Sequence, residues 1–225
     1  MEKKLSAAII GASGACGREL VLELQKSTYF NKIIVFTRRI LPEWEPLLKE
    51  PNPKLQIHKV DSLDNIKTWD KKLVEGVDTC FCCIGGRTKN GDAEFYKTDF
   101  TYFVDFGKYA HEAKVPHYSV ISSKGASATS WFTYLKVKGQ ADEAIQKIGF
   151  PFASIFRPGL LKNRRNDSRW VEGVAGIVPF IDKIESKTLA EKMMQDSVNY
   201  HLKREVKPTG AAIYKNDDIL KINLL

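Results

Sequence analysis

Three stretches of this 225-residue chain, "AAII" at 7–10, "IIVF" at 33–36 and "CFCCI" at 80–84, are apolar without interruption. A strand with one wet face alternates between apolar and polar residues. A strand with no polar position is covered on both faces, which is how strands of a parallel sheet read when helices pack on either side. The strand-like segments Leu5–Ile10, Lys32–Thr37, Leu55–Val60, Val77–Ile84, His117–Ile121 and Phe152–Phe156 alternate with helical segments. Those helical segments are Gly14–Lys26, Asn65–Leu73, Glu94–Ala113 and Ser130–Ile148. Parallel neighbours need crossover connections, so this rhythm predicts an α/β, doubly wound parallel sheet. The stretch "LPEWEPLLKEPNPK" carries four prolines and is expected to be a loop with at most a helical turn. No window approaches the roughly 18 apolar residues that a membrane span requires.

The segment "AAIIGASGACGRELVLEL" reads as strand, glycine turn, helix. Gly11 permits the tight turn, Gly14 lets the backbone approach a pyrophosphate, and Gly17 lets the helix pack on the strand. With Ser13, Ala15 and Cys16 they form a turn whose backbone N–H groups and helix dipole suit a phosphate. The spacing Gly-x-x-Gly-x-x-Gly is a weak signal alone. Between the first strand and the first helix it points to a dinucleotide, and the fold becomes Rossmann-like. An acid about 20 residues further on would bond the ribose 2′-hydroxyl of NAD. The second strand instead ends "VFTRRI", where a guanidinium pairs with a 2′-phosphate, so NADP(H) is the expected cofactor. Arg38 is the first choice and Arg39 the second. Asp61, at the end of the third strand, is placed for the adenine edge. Ile84 and Gly85, after the fourth, are placed for the cofactor's sugar.

The chemistry is expected at "SVISSKGASATSWFTYLKVKGQADEAI". Tyr134 and Lys138 stand four apart on a predicted helix and share a face. A tyrosine has a pKa near 10, and a neighbouring ammonium lowers it toward use as a general acid or base. Ser122, at the end of the fifth strand, can hold a substrate carbonyl against that phenol; Ser123 points to the other side. Tyr and Lys at this spacing also occur by chance, and the upstream dinucleotide turn is what raises the pair above that.

Taken in order, "GASGACG", Asp61, "CIGG", the strand-terminal serine and "YLKVK" resemble the short-chain dehydrogenase/reductase superfamily. "TRR", "FCCIGG", "SSKGA", "YLKVKG" and "FRPG" more closely resemble its atypical members of the Tat-interactive protein family. The resemblance runs from Leu5 to about Gly159. It implies an NADP(H)-binding protein with a Ser122–Tyr134–Lys138 constellation, in which Lys138 also contacts the cofactor. Arg157 and Pro158 of "RPG" match the loop on the nicotinamide side. The superfamily's helper Asn on the fourth helix is not evident, and Asp99 stands near that place.

The whole chain, 1–225, is expected to be one domain: 1–159 forms the cofactor and catalytic core, and 160–225 a small substrate-side region of loops, a helix and a last strand. Thr188–Leu202 puts Ala190, Met193, Met194 and Val198 on one face of that helix. Lys and Arg outnumber Asp and Glu by 35 to 27, which favours anionic partners. The excess is scattered, however, and its densest group, Lys162, Arg164, Arg165 and Arg169, accompanies no recognition module, so nucleic acid is not expected. Alternation divides Cys80 and Cys82 from Cys83, which suits buried small hydrophobes and not a metal site. Reduced thiols and an apolar start that runs directly into glycines fit a cytoplasmic protein, with nuclear entry open. Two functions follow. One is a reductase of a small carbonyl substrate; the other is a regulatory protein in which bound cofactor biases a conformation read by a protein partner.

Overall fold

The computed structural model describes residues 3–86, 88–162, 182–203 and 208–224. β1 (Leu5–Ile10) leads through a tight turn into α1 (Ala15–Lys26) and β2 (Phe30–Thr37). A short helical turn and α2 (Glu45–Leu48) precede β3 (Leu55–Lys59) and β4 (Thr79–Cys82). α3 (Asp92–Tyr96) continues through one π-helical turn, Lys97–Thr101, into α4 (Tyr102–Glu112). Then come β5 (His117–Ile121), α5 (Thr133–Ile148), β6 (Phe152–Arg157) and the short β7 (Leu160–Lys162). β8 (Lys183–Glu185), α6 (Ser186–Val198), β9 (Gly210–Lys215) and α7 (Asn216–Lys221) complete the chain.

Seven strands form one parallel sheet in the order β3-β2-β1-β4-β5-β6-β9, and β7 pairs with β8 apart from it. Alternate residues of the central strand serve two cores. Leu5, Ala7 and Ile9 pack with α1 and α6 through Leu20, Leu24, Leu189 and Met193. Ala8 and Ile10 pack with α4 and α5 through Phe103, Phe106 and Ile145. This two-sided burial is why the strands carry no polar alternation. The cysteines follow the same rule: Cys80 and Cys82 lie in the α4/α5 core and Cys83 in the other.

One expected helix is absent. Residues 65–73 form two 3-10 turns, Ile66–Thr68 and Lys71–Val74. Trp69 between them is extended, and the Asp70 side chain accepts from the Lys72 N–H, restarting the chain instead of continuing it. Trp69 spends its ring on the core, stacking on Phe36 at 4.7 Å. The proline-rich loop holds one helical turn and the four-residue α2, close to expectation. Thr188–Leu202 is helical as expected, with its last turn π-helical.

A buried polar network that the sequence does not announce seats α6 on the sheet. The Thr79 hydroxyl meets His117 Nδ1 at 3.2 Å and Ser197 Oγ at 2.7 Å. Ser154 Oγ donates to Asp196 at 2.6 Å and lies 2.9 Å from His117 Nε2.

Gly17 packs tightly against the turn that precedes α1. A Cβ there would lie 2.3 Å from the Gly11 carbonyl oxygen and 2.7 Å from Ala12 Cα. Gly17→Ala is expected to cost about 2 kcal/mol, the scale of core overpacking. At this chain length that lowers Tm by roughly 4–8 °C. Thermal unfolding of the variant checks it, and an unchanged Tm removes the close-packing argument.

Candidate functional site

β1 lies between β2 and β4, whose chain connections leave in opposite directions, so the carboxyl ends of these strands open a crevice. A cleft of about 370 Å³ sits there, within the range of small-ligand sites. Each strand end contributes: Gly11, Ser13 and Gly14 after β1, Arg38 and Arg39 after β2, Val60, Ser62 and Leu63 after β3, Ile84 and Gly85 after β4.

The glycine turn is built for close approach. Gly11 has φ +76°, and a Cβ on it would lie 2.4 Å from the carbonyl carbon of Cys83. Gly14, the residue that caps α1, has no side chain to donate or accept, and the first turn holds no acid. The positive end of α1 therefore faces the cleft without a carboxylate of its own to balance it, which suits an anion. Ala15, Cys16 and Gly17 form that first turn; Cys16 and Gly17 are buried behind the lining. Arg38 and Arg39 are exposed, as is Asp61, whose neighbours Val60 and Ser62 line the cleft. The cradle and the helix end fit the pyrophosphate of a dinucleotide, and two guanidinium groups line the same cleft.

Tyr102 closes the far wall, and its hydroxyl donates to Asp64 at 2.8 Å. The Lys97 ammonium, 2.7 Å away, together with that hydroxyl holds Asp64 down at about 2. Phe36, Thr98, Glu94 and Tyr102 also line the cleft and were not singled out from sequence; position at a strand end was the available signal only for Phe36.

Ser122, Tyr134 and Lys138 lie over the other half of the same edge. Tyr134 is half-buried, and its ring stacks on Phe95 at 5.4 Å. Lys138, one turn on, is 3% exposed; it reaches Asp99 Oδ1 at 2.7 Å and the Ile121 carbonyl at 3.4 Å, and it lies over the Phe103 ring. Asp99 is 1% exposed, and its second oxygen accepts from the Gly86 N–H at 2.5 Å and from Thr98 Oγ1 at 2.9 Å. Ser122 is buried beside Asp142, two turns along α5 from Tyr134. Arg157 Nε donates to Asp142 Oδ2 at 2.8 Å and Nη2 lies 2.8 Å from the same oxygen, so its guanidinium turns toward α5. Burial nevertheless holds Asp142 above the usual carboxylate value. Pro158 is buried, and its carbonyl accepts from Lys124 N–H at 2.9 Å. Asp142 was missed from sequence, although its spacing of four from Lys138 placed it on the same helix face. Arg164, Arg165 and Arg169 lie outside the described residues.

Known proteins agree with this geometry. A family model described as NAD(P)H-binding matches residues 11–195. The chain belongs to that NAD(P)H-binding family. Protein HTATIP2 of Rattus norvegicus is 32% identical over 168 residues, covering 74% of this chain and 67% of that protein. Protein FMP52, mitochondrial, of Candida albicans is 29% identical over 237 residues, with 97% and 98% coverage. Among solved structures, MoeE5 in complex with UDP-glucuronic acid and NAD superposes with a TM-score of 0.68 at 16% identity, over 94% of this chain and 75% of that one, a likeness of fold. No helix among the described residues of this NAD(P)H-binding protein is long and apolar enough to cross a membrane.

Two thiols border the glycine turn, Cys16 from α1 and Cys83, the residue after β4, and both are buried. Burial pushes Cys82 up to about 12 and raises Cys80 and Cys83 well above the ordinary thiol value. A thiol is reactive as the thiolate. At pH 8 a disulfide reagent is expected to titrate under about one thiol per native chain and all four after unfolding in guanidinium. Rapid reaction of two or more in the native state would contradict the burial described.

Proposed function

We propose that this chain is an NADP(H)-dependent oxidoreductase of the short-chain dehydrogenase type that reduces a carbonyl, with Tyr134 as proton donor. The observation that carries the reading is that Arg38 and Arg39 line the same cleft as Gly11, Ser13 and Gly14, with no acid at the end of β2. In this reading the turn and the first residues of α1, Ala15, Cys16 and Gly17, hold the pyrophosphate. Arg38 takes the 2′-phosphate first and Arg39 second, Asp61 meets the adenine edge, and Ile84 and Gly85 flank the sugar. The guanidinium of Arg157 is committed to Asp142, which supports a framing role for Arg157 and Pro158 at the nicotinamide end.

When bound, NADPH supplies a hydride to the carbonyl carbon. Tyr134 gives its phenolic proton to the carbonyl oxygen, so an alcohol forms. Ser122 orients that oxygen, and Lys138 contacts the ribose and tunes the phenol. Residues 1–159 carry this machinery and 160–225 face the substrate, a small carbonyl compound. The proposed location is cytoplasmic with nuclear entry. Because the FMP52 relative is named mitochondrial, fractionation of cells expressing the protein decides between the two compartments.

A second reading has its own support. The ammonium of Lys138 is already matched by Asp99, which favours slow turnover and a protein that uses NADP(H) to bias a conformation read by a protein partner. Partner affinity then follows bound cofactor and survives Tyr134→Phe.

Arg38→Ala is expected to weaken NADPH binding roughly tenfold to a hundredfold, as loss of a charge-assisted pair implies, and to leave NADH binding unchanged. Equal loss for both nucleotides overturns the 2′-phosphate assignment. Tyr134→Phe is expected to abolish carbonyl reduction while NADPH affinity, measured by fluorescence titration, stays within about twofold. If no aldehyde or ketone in a broad panel is reduced, the reductase reading fails.

A further inference from the structure

Asp99 is the most deeply buried carboxylate of the α4/α5 face, and both its oxygens are used. One accepts from Lys138. The other accepts from Gly86, which follows Ile84 and Gly85 of the cleft wall by two residues and one. The fit at Gly86 is close: a Cβ there would lie 2.7 Å from Asp99 Oδ2 and 2.1 Å from Thr98 Oγ1. Asp99 reaches this place from the π-helical turn between α3 and α4. π-helical turns within α-helices are frequent at functional positions.

We infer that Asp99 is a positioning residue: its carboxylate keeps Lys138 in a charge-balanced pair and ties that pair to the loop that walls the cofactor cleft. An isolated ammonium one helical turn from a phenol lowers the phenol's pKa. A paired ammonium presents a dipole, whose influence falls off faster than that of a charge. Tyr134 is therefore acidified only weakly while the pair is closed.

The other charged and titratable groups around Lys138 fit this account. Asp142 stands one turn along α5 and is matched by Arg157 of β6. Cys82 of β4 faces the same pair and stays a neutral thiol. The four charges Asp99, Lys138, Asp142 and Arg157 sum to zero, so removing Asp99 leaves one unbalanced positive charge one turn along α5 from Tyr134. The Ile121 carbonyl still accepts from the ammonium in that case. The kinetic consequence rests on Tyr134 being the proton donor; the charge balance does not.

The test uses the full chain labelled with tyrosine 13Cζ, and the Tyr134 resonance is identified by its loss in Tyr134→Phe. The wild-type titration of Tyr134 is the reference. Asp99→Asn, which keeps the shape and removes the charge, is expected to lower it by about one pH unit. Asp99→Asn/Lys138→Met removes both charges together and is expected to leave Tyr134 within about 0.3 unit of the wild type, since a neutral pair replaces a neutral pair. An unshifted Tyr134 in Asp99→Asn overturns the inference. So does a rise of about a unit in the double variant, which would mean that Lys138 acts as a free cation. If Asp99→Asn does not melt cooperatively, the double variant decides alone.

Where turnover is measurable, the donor must be protonated, so the rate is lost as pH rises through the phenol's pKa. That alkaline limb is expected to move down by about one unit in Asp99→Asn. A normal titration result with no carbonyl reduced would sink the reductase reading and leave the inference standing; the reverse pattern would sink the inference alone.

Discussion

The contact on which the rest of the site depends is one that a side chain would forbid. α1 starts directly against the turn it leaves, and a methyl group at Gly17 would press on the carbonyl of Gly11. Gly11 in turn passes against the backbone of Cys83, at the end of β4. The β1–α1 turn is thus wedged between the helix above and the neighbouring strand beside it. Because of this the end of α1 sits at the carboxyl edge of the sheet, with no acid in its first turn. β2 and β4 then bring Arg38 and Arg39 to one side and Ile84 and Gly85 to the other. A turn held further out by side chains would leave strand ends without a shared cleft.

The second constraint is the treatment of charge in the interior. Burying an unpaired ion costs several kcal/mol. On the α4/α5 face the chain meets that cost with two acid–base pairs, Asp99 with Lys138 and Asp142 with Arg157. On the α6 face it relies on hydroxyls as well: Thr79, Ser154 and Ser197 fill the gaps between His117 and Asp196. Both solutions satisfy buried groups, but they differ in what they leave available. Hydroxyl-linked groups hold α6 on the sheet. Ion pairs near a half-buried phenol set a local potential, and so bear on any chemistry there.

Much of this architecture was legible in the sequence, for identifiable reasons. β1 and β5 have the bounds read from the sequence, because both strands are buried along nearly their whole length and stand out from the wetter segments around them. The glycines of the turn were legible because Gly11 and Gly17 each exclude a side chain, Gly11 by its positive φ and the Cys83 backbone and Gly17 by the Gly11 carbonyl. Arg38 and Arg39 were legible because the end of a strand next to the turn has one place to go. Residues 65–73 were misread: their apolar spacing suits a helix, and only Asp70 capping a new turn breaks it. The pairing of Asp99 was not legible. In "FYKTDFTYF" it stands near the place of the superfamily's helper Asn, but nothing in that stretch names its partners, and the π-helical turn that carries it has no signal in the sequence. Asp142 and Arg157 share that problem, since their partnership exists only where α5 crosses the end of β6.

The two halves of the site meet at one strand. The cleft is assembled over the ends of β3, β2, β1 and β4, whereas Ser122, Tyr134 and Lys138 stand over β4, β5 and β6. The end of β4 is the border, and the segment leaving it, Cys83 to Gly86, has a role on each side. Cys83, Ile84 and Gly85 line the cleft, and Gly86 reaches the carboxylate that holds Lys138. A parallel sheet places all its carboxyl ends on one edge, so such a border is built into the fold. What is particular to this chain is that the border is crossed by a short, glycine-containing loop and a single buried acid. Gly86 thus joins the cleft wall to Asp99, and through Asp99 to the one buried cation of α5.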